Sequence, residues 1–171
     1  MTRLFWRTFF PLLYVVLRVG DPLLSRWTAA RGLGNTVELR VAGRHSGSPR
    51  RVLVGLLLIG DRRYVGHANA TATWTRNLAA AGRGELSVDG AAEIACTAIP
   101  LTPGPERDAV VAAAGRQHPF PIDLAYRIAA RQIKAEGTFF RLEPVGGAII
   151  PLPLAAARRA RARAAAGREP G

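Results

Sequence analysis

Between two apolar stretches the chain runs AGRHSGSPRRV, Ala42 to Val52, which places Arg44, His45, Ser46, Gly47, Ser48, Arg50 and Arg51 in one short turn. Guanidinium forks bind planar oxyanions bidentately, hydroxyls donate hydrogen bonds, and a flexible backbone can aim its N–H groups at the same anion. A hairpin needs only glycine or proline at its tip, so the charge is surplus to the turn. The residues by themselves leave two readings open, an anion-binding loop and a solvated hairpin tip.

Other chemistry is sparse. No Ser-His-Asp, HExxH or paired-carboxylate arrangement occurs, and His45, His67 and His118 lack metal-ligand spacing, so no metal is expected. Cys96 is the only cysteine, which excludes an intrachain disulfide and a thiolate cluster; within an apolar strand it reads as a buried, inert thiol. A reducing cytoplasm suits that usage.

The 171 residues suffice for one domain with a sizeable core, and 49% hydrophobic residues exclude the disordered class. A formal charge of +12 comes from 24 basic residues, of which only Lys134 is a lysine. Anionic partners follow from that balance: phosphates, carboxylates or anionic lipid. An arginine- and alanine-rich proteome would also bias the composition this way. Nucleic acid is not expected, because the basic residues are not interleaved with aromatics as a base-stacking platform requires.

The elements that must position the turn are mainly strands. In TVELRVAG, Val37, Leu39 and Val41 alternate with Glu38 and Arg40, the period of a strand with one buried face. VLVGLLLIG is apolar throughout, as in a strand covered on both sides, and GDRR turns it into YVGHA. ELSV and AEIACTAI flank Asp89-Gly90, a tight-hairpin signal, and TFFRLEPV supplies a further strand. Five or more mainly antiparallel strands with tight turns predict a small barrel, an α+β, mainly β, class of fold with intervening helices.

Three helices are predicted to interrupt the sheet. TWTRNLAAAG starts at Thr71 or Thr73 as cap and stops at Gly82, with Trp74 and Leu78 on one face; Trp74 reads as packing and Asn77 as a brace of the adjacent turn. TPGPERDAVVAAAG forms a second between Thr102 and Gly115, and PIDLAYRIAARQIKAEG a third with Ile122, Tyr126, Ala129 and Ile133 on one face.

Residues 1–34 read as an N-terminal helical segment, 35–150 as the barrel, and 151–171 as an Arg/Ala-rich tail with five arginines. LFWRTFFPLLYVVLRVG, broken by Arg7 and Pro11, falls short of the ~20 uninterrupted apolar residues of a spanning helix. With Arg3, Arg7 and Arg18 it fits a helix on its own domain, over a pocket mouth, or against the inner face of a membrane. A second short helix follows, capped at Asp21 and stopped at Gly32.

GRHSGSPR, Gly43 to Arg50, followed by WTRNL, Trp74 to Leu78, resembles the deazaflavin-dependent nitroreductase family, over roughly residues 36 to 145. The resemblance implies a split β-barrel like that of flavin-mononucleotide-binding oxidoreductases. It also implies hydride transfer from the reduced deazaflavin coenzyme F420 to a conjugated acceptor such as a quinone, a nitro compound or an enone. By the same resemblance, Arg44, His45, Ser46, Gly47, Arg50 and Arg51 would hold the phosphate and acidic tail of the coenzyme. His67, Asn69, Thr71, Thr73, Trp74, Arg76 and Asn77 would close over its ring or linker. Where many family members carry glycines before the tryptophan, this chain has HANATAT, which leaves flavin mononucleotide open as an alternative.

Hydride transfer between stacked flat molecules asks the protein for positioning and water exclusion rather than a nucleophile, in keeping with the sparse chemistry above. Tyr126, Tyr64 and His67 are the candidates for supplying a proton. A non-catalytic barrel carrying a flavin, haem or lipid is the rival reading. A homodimer paired through strands is compatible with either.

Overall fold

A computed structural model of the chain describes residues 35–69, 71–118 and 122–153. The segment expected to be helical over 1–34 and the arginine-rich tail from residue 154 lie outside the described residues.

Seven strands follow one another as β1 (Thr36–Ala42), β2 (Pro49–Gly55), β3 (Leu57–Ile59), β4 (Arg62–His67), β5 (Arg83–Ser87), β6 (Ile94–Pro100) and β7 (Thr138–Pro144). Helix α1 (Thr73–Ala81) lies between β4 and β5, and α2 (Pro105–Gln117), α3 (Ile122–Ile128) and α4 (Ala130–Glu136) lie between β6 and β7. All ladders are antiparallel, in the order β2-β1-β5-β6-β7-β4-β3. The consecutive strands β2 and β3 thus occupy opposite edges of the sheet, with Leu56 alone between them. Two Cα steps span less than ~8 Å, so the sheet must curl until its edges nearly meet. This is an α+β split barrel.

Asn35 extends the β1–β2 ladder to Leu56, one step beyond the Thr36↔Gly55 pair. Its main-chain oxygen accepts the Leu56 N–H at 2.7 Å, and its side-chain Nδ2 donates to the Leu56 oxygen at 3.0 Å. Val37, Leu39 and Val41 of β1 point inward as their alternation predicts, joining Leu86, Val65, Phe140 and Leu142 in one core. Helix α1 closes that core with Trp74 and Leu78.

Three local expectations are corrected. The run VLVGLLLIG is two strands rather than one, and β2 is not covered on both sides, since Arg50, Arg51 and Leu53 are exposed. Neither Thr71 nor Thr73 caps α1. Ala72 stands at its N-cap, and the Thr75 hydroxyl donates to the Ala72 oxygen at 2.7 Å. The third helix is broken at Ala129, where φ −94° and ψ 12° depart from the helix, so Ile122–Ile128 and Ala130–Glu136 are separate elements. The Gly82 stop is as expected, with φ 62° and its N–H on the Leu78 oxygen.

The turn at Asp89-Gly90 has φ 52° and 75° at its central residues, with the Ala91 N–H on the Val88 oxygen at 3.0 Å. That is the primed geometry an Asp-Gly pair favours. The ladder resumes only at Leu86↔Ile94, so the connection is longer than a two-residue hairpin. At the exposed edge, the Gln117 side chain imitates a neighbouring strand: its Oε1 accepts the Leu58 N–H at 2.9 Å and its Nε2 donates to the Leu58 oxygen at 2.7 Å. Such pairing blunts an edge that would otherwise template aggregation.

Candidate functional site

Antiparallel pairing sets the end of β1 beside the start of β5, and the end of β4 beside the start of β7. The end of β6 and the start of β7 meet at the same end of the barrel. The basic turn 43–48 and the approach to α1 therefore share that end. Within the turn, the Gly43 N–H bonds the Ser48 oxygen at 2.9 Å and the Gly47 N–H the Gly43 oxygen at 2.7 Å. Gly47 takes a φ of +66°, which glycine adopts without strain. A Cβ on Gly43 would stand 3.0 Å from Ser46 Oγ and 3.2 Å from the Ser48 oxygen, so the fold of the turn needs a bare backbone there. Arg44, His45, Ser46, Gly47, Ser48 and Arg50 are all exposed.

Asn77, buried on α1, brings the helix to the turn. Its Oδ1 accepts both the main-chain N–H and the guanidinium of Arg44, each at 3.3 Å. The two sequence stretches that resemble the nitroreductase family, 33 residues apart at this pair, are thus in contact.

Strand alternation divides the next two arginines. Arg50 pairs with Val41 and takes the face of the sheet that carries the core and α1. Arg51 pairs with Arg40 on the outer face, where its guanidinium lies 3.3 Å from Glu38 and 3.8 Å from Glu93. Arg40 bonds Glu93 and Glu85 on that same face at 2.9 and 3.4 Å. Arg51 therefore belongs to an outer ion-pair lattice, apart from the turn's other cations.

The segment leading into α1 is a compact turn. Asn69 Oδ1 accepts the Thr71 N–H at 2.8 Å and the Thr71 hydroxyl at 2.7 Å, and the Asn69 oxygen accepts the Ala72 N–H at 3.3 Å. His67 Nδ1 accepts the Asn69 N–H at 3.0 Å, and its ring meets Trp74 edge-on at 6.3 Å between centroids. Burial holds the His67 imidazole below its usual pKa, against an opposing hydrogen bond from the protonated ring to the Asn69 backbone oxygen. Trp74 packs into the core, whereas Thr73 and Arg76 are exposed.

Both candidate tyrosines are buried and have hydrogen-bonded hydroxyls. The Tyr64 hydroxyl donates to Glu106 Oε1 at 2.9 Å, and Glu106 also receives Arg141 at 2.9 and 3.1 Å and Arg62 at 3.3 Å. Burial, then the Glu106 hydrogen bond, raises the Tyr64 pKa; Arg141 foremost lowers that of Glu106. The sequence reading missed this cluster: nothing in the spacing of positions 62, 64, 106 and 141 announces it. Tyr126 is buried against His118, with ring centroids 5.0 Å apart, and burial raises its pKa in spite of a backbone hydrogen bond with Ala68. An open depression of about 360 Å³ borders the Tyr64 cluster, lined by Ile99, Thr102, Glu106 and Arg141 among others, and contains none of the residues singled out around the basic turn. Cys96 is buried, and burial pushes its thiol up to about 11, as suits an inert packing residue.

Among the described residues, no group of three or more His, Cys, Asp or Glu side chains is arranged to hold a metal, and no helix is long and apolar enough to cross a membrane.

The fold and the turn together define a split β-barrel with a basic loop at one end. No protein-family model matches the chain, and no curated protein matches it in sequence. Solved structures share its architecture. HutZ, the heme storage protein from Vibrio cholerae, is 16% identical over 79% of this chain and 97% of its own, with a TM-score of 0.51. The conserved hypothetical protein Rv2991 from Mycobacterium tuberculosis is 16% identical over 65% of this chain and 73% of its own, with a TM-score of 0.50. A structure named as an F420 reductase is 14% identical over 67% of this chain and 90% of its own; its TM-score of 0.40 is too low to bear on this chain. At these identities the likeness is one of fold.

Proposed function

We propose that the chain is a split-barrel oxidoreductase that holds a deazaflavin coenzyme at the basic turn and reduces a conjugated organic acceptor such as a quinone, nitro compound or enone. The observation that carries this reading is the contact of Arg44 with Asn77, which joins the GRHSG turn to the WTRNL helix. The residues present fit an anionic coenzyme. Exposed Arg44, Ser46 and Arg50 lie on or beside one turn whose backbone is open at Gly47, and the donor set is that of a phosphate cradle. The bound coenzyme supplies the hydride; the chain supplies position and desolvation.

In this reading Arg44, Ser46, Gly47 and Arg50 bind the anionic arm, with His45 at the rim, and Asn77 fixes the turn. Trp74 and the Asn69 turn shape the wall beside the ring, with His67 behind Trp74. Thr71, Thr73 and Arg76 flank the entrance. Arg51 contributes to the outer ion pairs instead.

A second reading, a non-catalytic carrier of a flavin or haem, is favoured by the engagement of Tyr64 with Glu106 and the burial of Tyr126, which leave neither tyrosine an exposed proton donor. The heme storage protein shares this fold. Fluorescence titration with the deazaflavin coenzyme, flavin mononucleotide and haem at matched salt separates the readings. Saturable micromolar binding of the deazaflavin alone supports the oxidoreductase, and binding of flavin or haem alone supports the carrier. Binding of none removes both.

A further inference from the structure

We propose that the outward face of α3 and α4 docks on an anionic phospholipid surface. The argument starts from spacing. Leu124, Arg127 and Ile128 fall at i, i+3 and i+4, one stripe of α3, and Arg131 follows in the first turn of α4 past the Ala129 break. Leu124 is 42% exposed and Ile128 65%, although large apolar side chains on adjacent turns ordinarily face the core. Behind them, Tyr126, Ala129 and Ile133 are buried, so the helices already have an inward face, and the exposed apolar pair lies outside the core formed by the described residues.

The charges beside the pair have one sign. Arg127 and Arg131 are exposed and make no ion pair among the described residues, unlike Lys134, which lies 3.0 Å from Asp108. Gly115, in α2, lies under the stem of Arg127: a Cβ there would stand 3.0 Å from Arg127 Cγ, so α2 backs this arginine. The acids nearby are engaged or turned inward. Glu136 accepts Gln132 at 3.2 Å, and Asp123 Oδ1 is buried. Two exposed aliphatic side chains, flanked by two arginines able to reach lipid phosphates, make the arrangement of an interfacial helix. Charge complementarity selects an anionic bilayer over a neutral one.

The test is co-sedimentation of the full chain with vesicles of phosphatidylcholine alone and with 30 mol% phosphatidylglycerol (about one charge in three headgroups). The variants are Leu124→Ser with Ile128→Ser, Arg127→Gln with Arg131→Gln, and Leu53→Ser as an exposed apolar control on β2. The wild type and the control should partition onto the anionic vesicles, and each double variant should partition about tenfold less, on the scale of two surface arginines or two buried aliphatic groups. All substitutions are at exposed positions, and the arginine pair keeps the test open if the apolar pair disturbs folding. Double variants that bind as the wild type does, equal binding to neutral vesicles, or absence of binding by the wild type overturns the proposal. So does a change of oligomeric state in Leu124→Ser/Ile128→Ser without loss of lipid binding, which would make the stripe a contact between copies.

Discussion

The imidazole of His118 occupies the place a side chain at Gly55 would need: a Cβ built on Gly55 would stand 2.1 Å from its Cε1. The ring is thereby wedged between the end of β2 and Tyr126 of α3. Burial pushes its pKa down to about 4, with Asp123 opposing.

That wedge predicts acid sensitivity. The unfolded chain takes up this proton near the ordinary value of ~6.5 and the folded chain only near the lowered one. Stability from the neutral ring is therefore complete above pH ~6.5 and is lost as pH falls through the folded value. The loss should be on the order of 3 kcal/mol between pH 7 and pH 4. Urea unfolding at several pH values checks it: His118→Gln should flatten this part of the profile, and an unchanged slope would show that His118 does not control it.

Arg50→Ala should weaken binding of the deazaflavin coenzyme by ~2 kcal/mol, the scale of a charge-assisted hydrogen bond. Arg51→Ala should change it by less than ~0.5 kcal/mol, because its partners are exposed carboxylates on the outer face. Equal effects of the two substitutions in a fluorescence titration would contradict the division of the cations by strand alternation.

Asn77→Ala removes the acceptor shared by the Arg44 N–H and guanidinium. It should cost ~1 kcal/mol in stability and loosen the turn, so that coenzyme affinity falls although Arg44 is still present. Hydrogen exchange at the amide of Arg44 is the direct readout. Protection equal to the wild type's would mean that the turn holds itself.

Gly66→Ala should destabilise the barrel by ~1–3 kcal/mol, as overpacking of a filled core does. A Cβ at position 66 would stand 2.1 Å from Cδ1 of Phe139, its cross-strand partner and a fully buried ring. Thermal unfolding of this variant beside Gly60→Ala, at an open turn, separates crowding from backbone strain, since only the second position has a positive φ.

What the sequence discloses follows its periodicity. Val37, Leu39 and Val41 announce β1, since alternation ties each residue to a face. The run from Val52 to Ile59 has no period, and so conceals both its division at Leu56 and the exposure of Leu53. Nor does the break at Ala129 carry a glycine or proline to mark it. At the site, the residue types of the turn were legible because arginine, serine and glycine together have a definite chemistry. That Arg44 meets Asn77, 33 positions away, had no local signal; the resemblance to a family only assigned the two stretches to one coenzyme. That Tyr64 is held by Glu106, 42 positions away, followed from no local signal. Opposite faces for Arg50 and Arg51 could have been read from the alternation alone, had β2 been started at Pro49.

The one-residue passage at Leu56 also governs how such a chain can fold. Strands adjacent in sequence ordinarily zip as a hairpin, but β2 and β3 are not partners; each finds its neighbour elsewhere, on β1 and on β4. The Asn35 bonds to Leu56 only extend the β1–β2 ladder one step beyond Thr36↔Gly55, whereas closure of the barrel needs β5, β6 and β7 to bridge β1 to β4. Loop-closure entropy is spent before that reward arrives, which places the barrel among slow, topologically demanding folders.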